Sequence, residues 1–299
     1  MKEVIVFKKS LGLHSTVDSA TLPYSQEDGC SYLKSAINVD ITDSERISRR
    51  TGCSLVAPGI TTAEYQWGNK LLAVVNGNLV CYVNGLLTCT IRDAVGIRPM
   101  WFLEVGDKLF YNNGIVNGFI VGEQSYIWAP KPQTGPTTVT ELAPVYPCSC
   151  MTYYKGRIFY GVEDAIWFTE AGNYLGTNLA TNFIMCEGEV IMLLGLEDKL
   201  YYGTTTGVYS VTGDIMGECK HTEVLASSPI HGTGLVAESP IILGNTYPGK
   251  VGVYTARDGI YLCTEEGVTD IVKGRLVLPY GTSGSASMVN NVYTVVINN

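Results

Sequence analysis

WGNKLLAVVNGNLVCYV, residues Trp67 to Val83, decides how this chain is read. A turn at Gly68-Asn69 leads into Lys70 and an apolar run; Asn76-Gly77 makes a second turn, and another apolar run follows. Asn and Gly tolerate the positive φ of a two-residue hairpin turn, so the stretch reads as a β-hairpin. The same order returns as VGDKLFYNNGIVNGFIV from Val105 and YKGRIFYGVEDAIWFTE from Tyr154. It returns again as LEDKLYYGTTTGVYSVTG from Leu196 and YPGKVGVYTARDGIYLCTEEG from Tyr247. The anchoring cations Lys70, Lys108, Arg157, Lys199 and Lys250 stand roughly 40–50 residues apart, the period of a propeller blade. Each is read as the polar end where the chain re-enters its sheet. Asp258-Gly259 is expected to turn as Asn76-Gly77 does.

A lone hairpin is marginal in water, so these units must stack to bury their faces. The expected fold is all-β: a β-propeller of short antiparallel blades, five to seven of them, in one domain over residues 1–299. Residues 1–60 read as a strand and an irregular N-terminal segment, and residues 129–140 as a Pro/Thr-rich inter-blade linker. Ring closure is expected from pairing of Val4–Phe7 with Val292–Ile297, since an open edge is an aggregation hazard.

Composition agrees with a soluble β-rich chain. Hydrophobic residues make up 46% and charged residues 16%, against ~25% charged in ordinary globular chains. That excludes a disordered or coiled-coil protein. Twenty Lys and Arg face 28 Asp and Glu, a net charge of −8, which disfavours broad binding to nucleic acid or an anionic membrane. Met1–Ser10 holds too short an apolar run for a targeting core. The uncharged stretch Leu276–Asn299 is too rich in Ser, Gly, Asn and Thr to span a bilayer. Nine irregularly spaced cysteines read as reduced thiols, with Cys81 and Cys263 acting as small hydrophobes in strands. Cys148 and Cys150 are expected on one strand face, serving packing. No Cys or His spacing predicts a metal, and no cofactor is expected.

The motifs of common chemistries are missing from the sequence. His14, His221 and His231 form no H-E-x-x-H, no phosphate-binding Gly loop opens a helix, and there is no G-x-S-x-G elbow. Gly281–Ser285 reads as a flexible loop. A propeller glycosidase would need two carboxylates set ~5–9.5 Å apart in the central channel. Glu163, Asp164, Glu170, Glu197 and Asp198 are candidates by composition, but their turn positions suit solvation. Trp67, Trp101, Trp128 and Trp167 would serve a carbohydrate- or receptor-binding propeller, or simply the core. Arg46, Arg49 and Arg50 form the densest basic cluster and a candidate interface, with Asp40, Asp43 and Glu45 placed to pair with them. The chain is expected not to be an enzyme.

Ala36–Gly52, AINVDITDSERISRRTG, is similar to the NVD-x-D-x-x-G-R-x-x-R-R-x-G opening of tailed-bacteriophage virion proteins with a propeller-like repeat, departing from it at Glu45. Trp101–Gly114, Ile127–Pro136, Tyr153–Leu193 and the repeat from Leu196 resemble successive segments of that family in the same order. The resemblance covers most of residues 31–265, and its weight lies in the order of the segments. It implies a structural tail or neck protein of the tail nozzle and hub kind, assembled in the host cytoplasm into the virion. The implied partners are other tail, neck or fibre proteins and further copies in a symmetric oligomer, with no membrane and no sequence-specific nucleic acid. It carries over no catalytic residue.

Overall fold

The computed structural model describes residues 9–18, 24–25, 30–35, 39–41, 47–49, 59–130, 142–242, 245–272, 275–276, 278, 281–289 and 292–298. Each repeat read from the sequence forms the two middle strands of a four-stranded antiparallel sheet, and five such sheets follow one another. Sheet 1 runs Thr61–Trp67, Lys70–Val75, Asn78–Val83, Leu86–Arg92. Sheet 2 runs Trp101–Val105, Lys108–Asn112, Asn117–Val121, Gln124–Tyr126. Sheet 3 runs Cys150–Tyr154, Arg157–Val162, Ala165–Phe168, Phe183–Met185. Sheet 4 runs Val190–Gly195, Leu200–Thr204, Val208–Gly213, Cys219–Leu225. Sheet 5 runs Leu235–Glu238, Lys250–Ala256, Gly259–Cys263, Val268–Asp270, with a small hairpin between its first two strands. The architecture is all-β and propeller-like.

Turn chemistry sets the registers. Asn76 and Gly77 both hold positive φ, and Val75 pairs with Asn78 around them, as the hairpin reading requires. Asp258-Gly259 differs. Ala256 pairs with Gly259, so Arg257 and Asp258 make the turn and Gly259 already belongs to the next strand. Gly259 packs against the Asp270 carboxylate and the Tyr261 ring, so it serves close approach rather than the turn itself.

The core lies between neighbouring sheets. Leu72, Val74 and Cys81 of sheet 1 meet Leu109, Tyr111 and Ile120 of sheet 2. Phe110 and Trp128 meet Ile158 and Tyr160 across the next gap. Phe159 and Phe168 then meet Leu193 and Tyr202, and Tyr201 meets Tyr254. Each of these large side chains removes enough apolar surface from water to contribute about 1.5–3 kcal/mol. Cys148 and Cys150 part company here: Cys148 joins the cluster of sheets 2 and 3, and Cys150 that of sheets 3 and 4. The expected shared face is wrong because the strand begins only at Cys150, so strand alternation does not reach Cys148.

A last hairpin, Ser283–Val289 with Val292–Asn298, packs on sheet 5. The Tyr293 hydroxyl donates to the Thr233 carbonyl at 2.8 Å. Gly281–Ser285 is therefore not a flexible loop, since its second half starts a strand. A Cβ on Gly284 would meet the Val296 carbonyl oxygen at 2.7 Å, so these glycines permit close packing. Near the N-terminus, Lys9–Leu13 pairs parallel to Cys30–Leu33, and Val39–Ile41 pairs with Ile47–Arg49. Val4–Phe7 and most of the 129–140 linker lie outside the described residues.

Candidate functional site

The first strand of every sheet, together with Ser283–Val289, faces a central cavity of about 580 Å³. Three carboxylates line it, Glu64, Glu104 and Glu238, with one ammonium, Lys250. That balance favours a cation or neutral polar group over an anion. Burial and the nearby Glu104 charge together raise the Tyr65 hydroxyl above its ordinary value. Aromatic rings also line the space, yet each already carries a neighbour. Trp101 packs on His231 at 4.7 Å, Phe102 stacks on Tyr65 at 5.3 Å, and Lys250 Nζ stands 5.9 Å from the Tyr153 ring centre.

Glycines let the inner strands crowd this axis. A Cβ on Gly195 would sit 2.4 Å from the Tyr153 carbonyl oxygen, and one on Gly232 2.2 Å from that of Gly284. His231, which precedes sheet 5, reaches across to Ser149 just before sheet 3, its Nε2–H donating to the carbonyl at 3.0 Å. A volume of this size suits a small ligand and is far too narrow for a nucleic acid duplex.

None of the acids singled out for glycosidase chemistry lines the cavity. Glu163 and Asp164 turn between the second and third strands of sheet 3. Glu170 pairs with Arg157 at 3.3 Å, and Glu197 and Asp198 occupy the first turn of sheet 4. The three glutamates that do line it were missed by the repeat pattern. Their signal was an acid in the short strand before an anchoring cation, as in AEYQW-GN-K and WFLEV-GD-K.

The anchoring cations stand at the first turn of each sheet. Two of them reach the next sheet: Lys70 pairs with Glu123 at 3.1 Å, and Lys199 donates to the Glu265 carbonyl. Arg157 donates instead to Thr169 O within its own sheet at 2.8 Å. Among the tryptophans, Trp128 is fully buried and its indole N–H donates to Tyr174 O at 2.6 Å. Trp67 and Trp167 pack against inter-sheet clusters. Of the arginine cluster, Arg49 ends a strand paired with Val39, while Arg46 and Arg50 lie outside the described residues.

A second surface stands out on the outer rim. The outermost strands and adjoining loops of sheets 1 to 3 expose large apolar side chains: Leu86 at 74%, Leu87 at 60%, Ile127 at 78% and Met185 at 58%. Tyr126 and Phe183 flank them. Isolated exposed apolar residues are ordinary, but here they recur on the unpaired edges of three consecutive sheets.

No family model matches the chain, and no curated protein is similar to it. Among solved structures it is similar to BBS1N in complex with ARL6DN, at 12% identity and TM-score 0.48, covering 76% of this chain and 72% of that one. It is also similar to the N-terminal domain of Nup159, at 11% and 0.47, covering 86% and 77%. Hsv2 of Kluyveromyces lactis gives 9% and 0.42, covering 77% and 74%. Likeness at this level says nothing of function, and the propeller-like description stands on the sheet topology itself.

Proposed function

We propose that this chain is a structural component of a tailed-bacteriophage virion, a tail or neck protein that builds part of the conduit or an attachment platform. The observation that carries the reading is the apolar outer edge shared by sheets 1 to 3. A strand edge with large exposed hydrophobes is an aggregation hazard in a free chain and an asset in a permanent assembly, where a partner covers it. The order of segments resembling phage virion proteins supplies the particle, and other tail, neck or fibre proteins and further copies of this chain supply the cover.

The role is scaffolding rather than catalysis. We assign six blades to the ring, counting Ser283–Asn298 as the start of the sixth because its first strand lines the cavity beside the other five inner strands. The cavity inside one ring excludes duplex DNA, so a conduit would run between copies arranged around a symmetry axis. The acidic net charge suits a wall that does not grip passing phosphates.

Mass spectrometry of purified virions tests the assignment. The chain is expected at a fixed stoichiometry relative to the other tail proteins. Its absence from the particle would remove the proposal.

A further inference from the structure

Four side chains meet where the outer part of sheet 4 faces sheet 3. Cys219 Sγ lies 3.4 Å from His221 Nε2, two residues along the same edge strand and therefore on the same face. The other ring nitrogen, Nδ1, lies 2.9 Å from the Tyr202 hydroxyl. Tyr202 is buried and stacked on Tyr209 at 5.0 Å, so its hydroxyl is held in place. The Cys186 thiol packs against the same inter-sheet cluster and donates to the Ile184 carbonyl at 3.7 Å.

We propose that Cys219 is a modification site, a thiol readied by His221 and Tyr202 for exchange with low-molecular-weight disulfides. In the tautomer that readies the thiol, His221 Nδ1–H donates to the Tyr202 oxygen. The Nε2 lone pair then faces the Cys219 thiol as a base. A nucleophile, a base and a third group orienting that base is the general layout of an activated thiol.

The exchange balances. The Cys219 proton passes to His221 Nε2, and the thiolate attacks one sulfur of the disulfide. A new S–S bond forms to Cys219 as the reagent's own S–S bond breaks. The departing thiolate takes the proton back from His221 and leaves as a thiol. One half of the reagent is reduced, and Cys219 is oxidised to the mixed disulfide.

Among the described cysteines, the surroundings single out this thiol. Cys81, Cys148, Cys150 and Cys263 are buried and free. Burial pushes the Cys150 and Cys186 thiols up to about 12, which keeps them protonated and inert. Cys219 is only half-buried, and His221 beside it is exposed to water. The charges around the relay are Glu187 facing Tyr202 and Asp164 facing Cys186 from sheet 3, with Glu223 on the His221 strand. Lys220 stands on the opposite face of that strand.

The test uses the intact chain, a substoichiometric nitrobenzoate disulfide and peptide mapping of the labelled cysteine. Cys89, half-buried on the edge of sheet 1, is the internal control. At neutral pH Cys219 is expected to react about tenfold faster than Cys89, the gain expected when an ordinary thiol gains a neighbouring base. His221→Gln should bring Cys219 to the Cys89 rate and move its pH–rate profile to that of an ordinary thiol, with the melting temperature unchanged. Equal labelling of Cys219 and Cys89 in the unaltered protein would overturn the proposal, as would an unshifted profile in the variant. Neither result depends on whether the chain belongs to a virion.

Discussion

The outer edges of sheets 1 to 3 and those of sheets 4 and 5 are built to opposite rules. Leu86, Leu87, Ile127 and Met185 crowd the first set. The sheet 4 edge, Cys219–Leu225, instead exposes Lys220, His221, Thr222 and Glu223 in a row, and the sheet 5 edge, Val268–Asp270, exposes no large hydrophobe. Charged and polar side chains are how a sheet protects an edge that meets water. One molecule therefore carries a protected arc and an unprotected one. Identical topology does not dictate identical surroundings: one arc leaves large apolar side chains in water and the other does not.

The contrast should end at the rim. If the two arcs differ only there, their cores must matter equally. Phe110→Ala between sheets 2 and 3 and Tyr201→Ala between sheets 4 and 5 are each expected to cost about 3–5 kcal/mol, measured by urea denaturation. A large loss in one and a small loss in the other would mean that the arcs differ in stability as well as in surface.

Charging the rims gives the next largest effect and addresses the comparison directly. Leu86→Lys with Ile127→Lys should reduce incorporation into particles sharply, since central apolar contacts in an interface carry about 2 kcal/mol or more each. The same change at Thr222 in the sheet 4 edge should leave incorporation as it was. Both variants should melt within about 0.5 kcal/mol of the parent, because exposed positions bear little on folding. Equal effects at the two edges would erase the distinction between the arcs.

A third effect concerns alkaline pH and falls on the cluster between sheets 3 and 4, where the arcs join. Cys150 and Cys186 have thiols raised from 9.0 to about 12, chiefly by burial. The unfolded chain gives up these protons first, so from about pH 9 it binds fewer than the folded one, and stability falls as pH rises towards 12. Melting temperature is expected to decline above pH 9, and Cys150→Ala should reduce that slope. A flat profile between pH 7 and 11 would show that these thiols are not held protonated by the fold.

What the sequence determined by itself was local and periodic. Lys70 to Val83 and its four later counterparts carried enough turn chemistry and apolar patterning to announce paired strands and the repeat that stacks them. The buried state of Cys81 and Cys263 followed from the same runs. Tertiary structure decided everything that depends on residues far apart in the chain. Glu64, Glu104 and Glu238 share one cavity only because different sheets bring their first strands to a common axis. Cys148 and Cys150 divide between two cores because the strand starts between them. Gly281–Ser285 looked flexible, yet Gly284 makes room for Val296 and Thr233, and Gly281 for Ile297 and Asn298. Cys219, Tyr202 and Cys186 carry no common motif, and they meet through strand pairing in sheet 4 and its packing against sheet 3. Local propensity is written in neighbouring side chains, whereas a site is written in the sheet register and in packing that closes over long loops.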